Sequence, residues 1–225
     1  MKNEKANDGR VSRAAIFFIT FLAAGALLAY FFYPAILSAG GRYLAPARTG
    51  NADAVILEGT EVINERTVRT GMGLISAGRA KKLVVVCQDS EERPLGLPSD
   101  YELLLINKIA DLGLPRDQVS VLIVPREHPI TLHEARLVLS RLSKEKIQSA
   151  ILVAENFHTR RSYWAYKKIG KDLGIDIIPY PYFGRFKSDS WWQEADGFRS
   201  FFGESMKFLY YVFRGHIPIK SLVAA

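Results

Sequence analysis

Four residues that could carry chemistry follow an apolar run at residues 149–154. Glu155, Asn156, His158 and Arg161 lie within a stretch of seven residues. An imidazole titrates near neutral pH and can act as a general acid or base, and a guanidinium binds phosphate or carboxylate through paired hydrogen bonds. We therefore predict that His158 moves a proton and that the other three contact a ligand. The alternative is that these side chains only fix a loop through hydrogen bonds and ion pairs.

A second group of candidates surrounds the end of an earlier apolar run, residues 52–59. Glu58 and Gly59 end this run, and Arg66 follows on a predicted helix. We predict that all three contact the ligand. Paired carboxylates such as Glu58 and Glu155 could share a proton or hold a metal ion. Pairing of each with a nearby arginine is the simpler interpretation, so we predict no metal site.

These candidates belong to a chain that alternates strands with helices. Short apolar runs rich in β-branched residues predict five strands, at residues 52–59, 81–87, 118–125, 149–154 and 175–181. Apolar residues at helical spacing predict helices between and after them, at residues 65–79, 99–113, 131–146, 159–174 and about 197–214.

Strands that each lead into a helix indicate an α/β fold, here a Rossmann-like three-layer structure with a parallel sheet in the middle. Continuous apolar strands fit this fold because such a sheet is covered on both faces. Ligands bind outside the carboxyl ends of the strands, where the strand order reverses. The polar residues that follow the strands should therefore converge on one edge. The sequence also predicts Ser99 as a helix N-cap, and Thr131 with Glu134 as a capping box.

The uncharged segment at residues 14–33 is long enough to cross a membrane, because about 20 helical residues span the hydrocarbon core. We predict a retained single-pass helix in the inner (plasma) membrane, since the run is too long for a signal peptide and lacks a small-residue cleavage site. Four Lys or Arg residues and two acidic residues precede it, so residues 1–13 are predicted to be a cytoplasmic tail. Residues 34–50 are predicted to link the helix to a periplasmic or extracytoplasmic domain, residues 51–225.

The composition limits the classes of function. An apolar content of 48% in 225 residues supports a core and excludes disorder over most of the chain. A formal charge of +7 permits nucleic acid, anionic lipid or a phosphorylated molecule as partner, and the exported topology leads us to predict no nucleic acid.

Cys87 is interpreted as an apolar strand-end residue rather than a nucleophile. Trp191, Trp192 and the final aromatic helix either close the sheet edge or lie on the membrane surface.

Several short motifs occur in a fixed order along the chain. They are Asp53 in the first strand, Arg66, "LGLP" at 112–115, "ITLHEA" at 130–135, "NFHTRR" at 156–161 and "GESMKFLYY" at 203–211, which includes Glu204. In this order they resemble the YdcF-like family (domain of unknown function 218), and within it the membrane-anchored SanA and ElyC branch. The resemblance covers roughly residues 50–213.

The resemblance implies a Rossmann-like fold, a role in cell envelope biogenesis, and a pocket that contains Gly59, Arg66, Thr131, His158 and Arg161. The family has no agreed reaction. This chain departs from its pattern around the pocket, with a single glycine after the first strand and "ITLHEA" where the family has Asn-Thr-x-Glu-Asn-Ala.

The expected function is therefore that of a single-pass membrane protein anchored through residues 14–33. Its exported domain would bind or process an anionic envelope metabolite, such as a lipid-linked phosphosugar. The alternative is a non-catalytic binding or regulatory module of envelope assembly. Neither a dinucleotide fingerprint after a strand nor a Walker motif is present, so the sequence indicates no particular cofactor.

Overall fold

The fold was analysed in a computed structural model that describes residues 5–60, 63–89 and 100–223, with side chains from residue 14 onward. The strands are β1 (Ala54–Thr60), β2 (Lys82–Asp89), β3 (Val119–Pro125), β4 (Ser149–Glu155) and β5 (Asp176–Tyr182). The helices are α1 (Lys5–Leu44), α2 (Glu65–Ser76), α3 (Tyr101–Asp111), α4 (Ile130–Lys144), α5 (Thr159–Leu173) and α6 (Ala195–Phe213). Short 3-10 turns lie at Asn156–His158, before α5, and at Trp191–Gln193, before α6.

The five strands form one sheet in the order β3-β2-β1-β4-β5, and every neighbouring pair is parallel. The chain builds outward from β1 to β3 and then returns to place β4 against the free side of β1. The strand order therefore reverses between β1 and β4, which is where such sheets bind ligands. The predicted α/β class and the Rossmann-like parallel sheet are confirmed.

Alternate residues along each strand face different layers, because successive side chains of a strand point to opposite faces. Val55 and Leu57 pack with residues of α2 and α3 such as Val68 and Ile109. Ile56, between them, packs with residues of α4, α5 and α6. The sheet is thus the middle of three layers, which explains why its strands are continuous apolar runs.

Asp53, the residue before β1, fixes the pairing of β1 with β4. Its Oδ2 accepts hydrogen bonds from the backbone N–H groups of Gln148 and Ser149 and from the Ser149 hydroxyl, each at 2.9 Å. The hydrogen bond from Gln148 and those from Ser149 hold the pKa of Asp53 below its usual value. This contact sets the register of the two strands whose far ends carry Glu58 and Glu155.

Helix α1 is one continuous helix of 40 residues, with Pro34 inside it. Its segment Ala14–Leu44 is long and apolar enough to cross a membrane and includes the predicted span at residues 14–33. The predicted linker differs from the structure, because residues 34–44 are helical. Leu44, at the end of α1, is buried in the domain.

The helix starts show one wrong prediction. Helix α4 begins at Ile130 with Pro129 as its N-cap, and no side chain caps it, so the capping box of Thr131 and Glu134 is wrong. Thr131 lies inside the first turn, and the Glu134 carboxylate turns toward the sheet instead. Ser99, the predicted N-cap of the helix before, lies outside the described residues.

The aromatic helix α6 covers the sheet on the side of α5. Phe208 and Tyr211 belong to the core of that side, while Phe198, Phe202 and Phe213 are exposed. The interpretation that this helix closes the core therefore holds for one of its faces only.

Candidate functional site

A cleft of about 1070 Å³ opens at the carboxyl ends of β1, β2 and β4. Of the eight residues that the sequence singled out, seven line it: Glu58, Gly59, Thr131, Glu155, Asn156, His158 and Arg161. The convergence follows from topology, since β1 and β4 are parallel neighbours and end at the same edge. The eighth residue, Arg66, does not line the cleft, and its Nη1 donates to the Gly184 carbonyl at 3.0 Å.

His158 lies between two carboxylates on the floor of the cleft. Its Nε2 is 2.7 Å from Glu58 Oε1, and its Nδ1 is 3.2 Å from Glu204 Oε2. Burial and the Arg161 charge lower the pKa of His158, but the charges of Glu58 and Glu204 raise it by more, to about 9. The imidazole is therefore protonated at neutral pH, although its side chain is still 23% exposed to the cleft.

Glu204, on α6, is ion-paired with both cations of the floor. Burial raises its pKa, but the charges of His158 and Arg161 lower it by more, so the carboxyl stays ionised. Arg161 donates from Nε and Nη2 to Glu204 Oε2 at 3.1 and 3.0 Å, and from Nη1 to Thr131 Oγ1 at 2.7 Å. These contacts engage most of the guanidinium, so the first role of Arg161 is to position Glu204.

The Nδ1 atom of His158 faces two neighbours that it cannot satisfy in one protonation state. Arg161 Nη2 lies 2.8 Å from it and can only donate, whereas Glu204 Oε2 can only accept. A protonated imidazole donates to Glu204, and a neutral one with its proton on Nε2 accepts from Arg161. Loss of a proton from His158 therefore exchanges one hydrogen bond of the floor for another without moving the ring.

Ser162 was missed by the sequence analysis. It is fully buried, its Oγ donates to Glu58 Oε1, and the same Oγ lies 3.0 Å from His158 Nε2. With Ser162 at Nε2 of His158 and Glu204 at Nδ1, the serine, histidine and glutamate are arranged as in a hydrolase triad. Ser162 nevertheless does not line the cleft, so it fixes Glu58 rather than attacking a ligand. The signal was its spacing, since residues four apart share one side of a helix.

Glu134 is a second missed residue and lies beneath the floor, 1% exposed. It accepts hydrogen bonds from Gly59 N at 3.0 Å, Gln88 Nε2 at 2.6 Å and the Tyr166 hydroxyl at 2.8 Å. Burial and the Glu58 charge raise its pKa. A Cβ added to Gly59 would lie 2.5 Å from Glu134 Oε2. The absence of a side chain at Gly59 therefore makes room for Glu134, whereas the sequence suggested room for a ligand.

Two buried acceptor oxygens in the cleft lining have no hydrogen-bond partner within the described part of the chain. They are Glu58 Oε2 and Asn156 Oδ1. Asn156 holds a left-handed backbone conformation, φ 51°, which asparagine tolerates better than most residues. Its Nδ2 donates to Glu155 Oε1 at 3.2 Å. Glu58 and Glu155 thus pair with His158 and Asn156, and the predicted pairing of each with an arginine is wrong.

Cations surround the rim of the cleft. Arg126, Arg185 and Lys207 line it. Lys207 Nζ lies 2.9 Å from Glu204 Oε1, and its side chain is 62% exposed. Arg185 lies 3.6 Å from Asp196 and is 75% exposed. With His158 protonated, five cations line the cleft against the three carboxylates Glu58, Glu155 and Glu204, so the lining carries a net positive charge.

Cys87 is fully buried and does not line the cleft, so it offers no thiol to a ligand there. Three or more His, Cys, Asp or Glu side chains arranged to hold a metal ion are not found in residues 5–60, 63–89 and 100–223.

No protein-family model matches this chain, and no curated protein matches it. The resemblance to the YdcF-like family therefore stays a prediction that depends on the order of its motifs. What the geometry itself offers is proton exchange: an imidazolium with two carboxylate neighbours, reachable from a cleft with a cationic rim.

Proposed function

We propose that this protein is a membrane-anchored member of the YdcF-like family whose cleft binds an anionic, hydroxyl-bearing metabolite of the cell envelope, and that His158 exchanges a proton with it. The observation that carries the proposal is the position of His158. It lies on the floor of the cleft at the strand-order reversal, between Glu58 and Glu204. A protonated imidazole at that place can act as a general acid toward a leaving oxygen.

The charge distribution supports an anionic ligand. Five cations line the cleft against the three carboxylates Glu58, Glu155 and Glu204, and three of the five, Arg126, Arg185 and Lys207, lie on the rim. Guanidinium and ammonium groups are the usual partners of phosphate. We therefore assign anion binding to these three rim residues and, in a change from the sequence-based expectation, a positioning role to Arg161. Arg66 has no direct role in this proposal because its Nη1 is bonded to the Gly184 carbonyl.

The unpartnered acceptors support a hydroxyl-bearing ligand. A buried oxygen without a partner costs about 1–3 kcal/mol relative to one that is bonded. Small shifts of the Glu58 and Asn156 side chains, which line the cleft, would let hydroxyl donors of a bound ligand reach Glu58 Oε2 and Asn156 Oδ1. Phosphate at the rim and hydroxyls at the floor together describe a phosphosugar, free or linked to a lipid.

The topology of the proposal depends on α1. A helix that crosses the inner (plasma) membrane with its cationic tail inside places the domain in the periplasm or another extracytoplasmic space. A role in cell envelope biogenesis follows from that location together with the family resemblance.

A second candidate function is a binding or regulatory module of envelope assembly without catalysis. One observation favours it: both ring nitrogens of His158 are engaged by carboxylates of the protein itself. In that arrangement the imidazolium could serve only to hold the floor together, and a bound ligand would be kept and not converted.

Native mass spectrometry of the detergent-extracted full chain tests the proposal. We expect an anionic, sugar-containing metabolite to remain bound to the wild type. The candidate is then incubated with the wild type, with His158→Gln and with the matched control His216→Gln, whose histidine lies outside the cleft lining.

Conversion by the wild type and His216→Gln but not by His158→Gln supports the enzyme. Retention without conversion by all three supports the binding module. A wild type that retains neutral lipid alone, or a His158→Gln protein that converts the ligand at the wild-type rate, contradicts the proposal.

A further inference from the structure

The N-terminal half of α6 exposes large apolar side chains along one side. Phe198, Phe202 and Met206 are 51%, 49% and 68% exposed. They lie four residues apart in succession, so they share one side of the helix. Trp192, just before α6, adjoins this side through its neighbour Trp191, whose ring contacts Phe202. We call these four residues, Trp192, Phe198, Phe202 and Met206, the α6 apolar surface.

Helix α1 packs alongside α6. The Tyr43 and Phe208 rings are 6.2 Å apart between centroids. A Cβ at Gly40 would lie 3.2 Å from Phe201 Cζ.

Two turns before Gly40 in α1, the centroid of the Tyr33 ring is 6.3 Å from that of the Trp192 ring. The two helices therefore run in the same direction. Toward the N-terminus of α1, where its membrane-spanning part lies, its contacts move from the middle of α6 to the N-terminal half of α6 and then to Trp192. The N-terminal half of α6 is therefore the half nearest the membrane.

Tyr33 marks the level that the domain reaches. It ends the predicted span, residues 14–33, and the chain stays uncharged as far as Gly41. Tyr and Trp are enriched where a spanning helix meets the headgroups. Because Trp192 contacts Tyr33, no gap separates the domain from the bilayer surface. An exposed apolar patch that begins at this level and continues beside the uncharged residues 34–41 of α1 has headgroups and the outer acyl region as its nearest neighbours.

Basic residues flank the α6 apolar surface. Arg199 lies on the exposed part of α6, and Arg185 lies on the loop before it, 76% and 75% exposed. Both also lie near the Asp196 carboxylate, at 2.8 and 3.6 Å. Apolar side chains bordered by Lys and Arg are typical of helices that lie in the interface of a membrane with anionic lipids.

We infer that the α6 apolar surface is a second membrane contact, embedded in the outer part of the leaflet from which α1 emerges. The inference depends on the membrane span in the proposed function but not on the identity of the ligand. Met206 belongs both to this surface and to the cleft lining, so the cleft opens beside the bilayer. A ligand with a lipid tail could enter while its tail stays in the membrane.

Depth-dependent quenching in lipid nanodiscs tests the inference on the full chain. The single native cysteine is buried, so an introduced cysteine can be labelled with a small fluorophore, and the unsubstituted chain controls for background labelling. Probes are placed by Phe198→Cys and Met206→Cys on the α6 apolar surface. Phe213→Cys is the control at the far end of α6, and Leu103→Cys the control on α3; both residues are exposed, 82% and 57%.

We expect brominated lipids to quench the probe at position 198 most and that at 206 less, each by at least about twofold more than at 103, as for a helix embedded in the interface. Position 213 should resemble 103. A further probe, Leu27→Cys in α1, reports the span itself. Strong quenching at 27 with equal quenching at 198, 206 and 103 overturns the inference and leaves the span intact. Absence of quenching at 27 overturns the span and the inference together.

A second copy of the chain is the competing occupant of the α6 apolar surface. Nanodiscs assembled with one copy or with two copies separate the cases. Fluorescence at position 198 that changes with copy number and not with bromination identifies a protein–protein contact and overturns the inference. The probe at 206 makes the test independent of any folding defect in Phe198→Cys, because Phe198 contacts the Phe202 ring.

Discussion

The first turn of α5 and the residues before it separate two regions of the molecule, the cleft and the junction with α1. His158 and Arg161 face the cleft, where their partners are the carboxylates Glu58 and Glu204. Phe157 and Arg160 face the junction. Phe157 packs in the cluster formed by Leu44, Ala45, Phe157, Phe186 and Trp191. One short segment thus builds both the floor of the candidate site and the surface that holds the end of α1.

The two adjacent arginines show what the difference means. Both are buried, 2% exposed for Arg160 and 7% for Arg161. Arg160 donates to the backbone carbonyls of Ser221 and Tyr43, and it stacks 3.7 Å from the centroid of the Tyr43 ring. Arg161 is bonded to a carboxylate and a hydroxyl. Adjacent helical residues point about 100° apart. The same residue type therefore binds backbone carbonyls at the junction, as Arg160, and shifts the pKa values of its neighbours in the cleft, as Arg161.

The largest loss in the free energy of unfolding should come from replacing one of the two arginines at a time. Arg161→Met leaves the buried Glu204 carboxylate with His158 and Lys207 as its remaining cations. Breaking a buried pair costs about 3–5 kcal/mol, and the two remaining cations should keep the loss near the lower end of that range. Arg160→Met leaves carbonyl oxygens unpaired, which costs about 1–3 kcal/mol. Chemical denaturation of the full chain in detergent measures both.

Hydrogen exchange locates the two effects. Arg160→Met should increase exchange at the end of α1 and in residues 219–222, whereas Arg161→Met should increase it around the cleft. An equal response of both regions to either variant would contradict the separation of cleft and junction.

The loss of stability between pH 6.5 and 9 should come mainly from His158 in the cleft. The pKa of His158 is about 9 in the folded protein and about 6.5 in an unfolded chain. The protonated state therefore stabilises the fold fully below pH 6.5, and this contribution is lost as the pH rises through 9. The wild type should lose on the order of 3 kcal/mol relative to His158→Gln across this range.

Unfolding free energies of both proteins at several pH values between 6 and 10 test this expectation. The variant Arg160→Met keeps His158 and serves as the control, so its curve should run parallel to that of the wild type. Parallel curves for wild type and His158→Gln would mean that the imidazole is not held as an imidazolium.

A smaller effect should appear when a methyl group is added at the junction. A Cβ at Gly41 would lie 2.8 Å from the Ser188 carbonyl oxygen and 3.1 Å from the Trp191 ring, so Gly41→Ala must push the loop away from α1. Overpacking of this kind costs about 1–3 kcal/mol. The matched control on the same helix is Gly25→Ala, where nothing lies within 4 Å.

Limited proteolysis of the loop that contains Ser188 and thermal unfolding are the measurements. Gly41→Ala should speed cleavage and lower the midpoint, while Gly25→Ala should do neither, because alanine only favours the helix. A neutral Gly41→Ala would show that the junction tolerates displacement and is looser than its contacts suggest.

Much of the fold could be predicted from local pattern. The five apolar runs became the five strands, and Gly174, in a left-handed conformation at φ 70°, ends α5 where the sequence predicted its end. Topology then followed from general rules for parallel sheets. The end of α1 was not predicted, because Pro34, Gly40 and Gly41 suggest a break, while contacts with the distant Trp191 and Phe201 keep the helix continuous.

The candidate site was predictable only in part, and the reason is sequence distance. Glu58 and His158 could be brought together because both follow neighbouring strands. Glu204 comes from a helix 46 residues after His158, and nothing local in its pattern shows that it turns back to the floor. Glu134 was assigned to a local cap, although its actual partners, Gly59 and Tyr166, are far away in sequence.

The rigid mount of α1 has a consequence for where the protein can work. About eleven helical residues, roughly 16 Å at 1.5 Å each, separate Tyr33 from Leu44, and the domain grips that length through Trp191, which donates to the Leu37 carbonyl at 3.0 Å. A continuous helix held in this way lets the domain move very little relative to α1. In the proposed topology, molecules that diffuse within the leaflet would reach the opening of the cleft directly, whereas ligands held farther from the membrane would have to be carried to it.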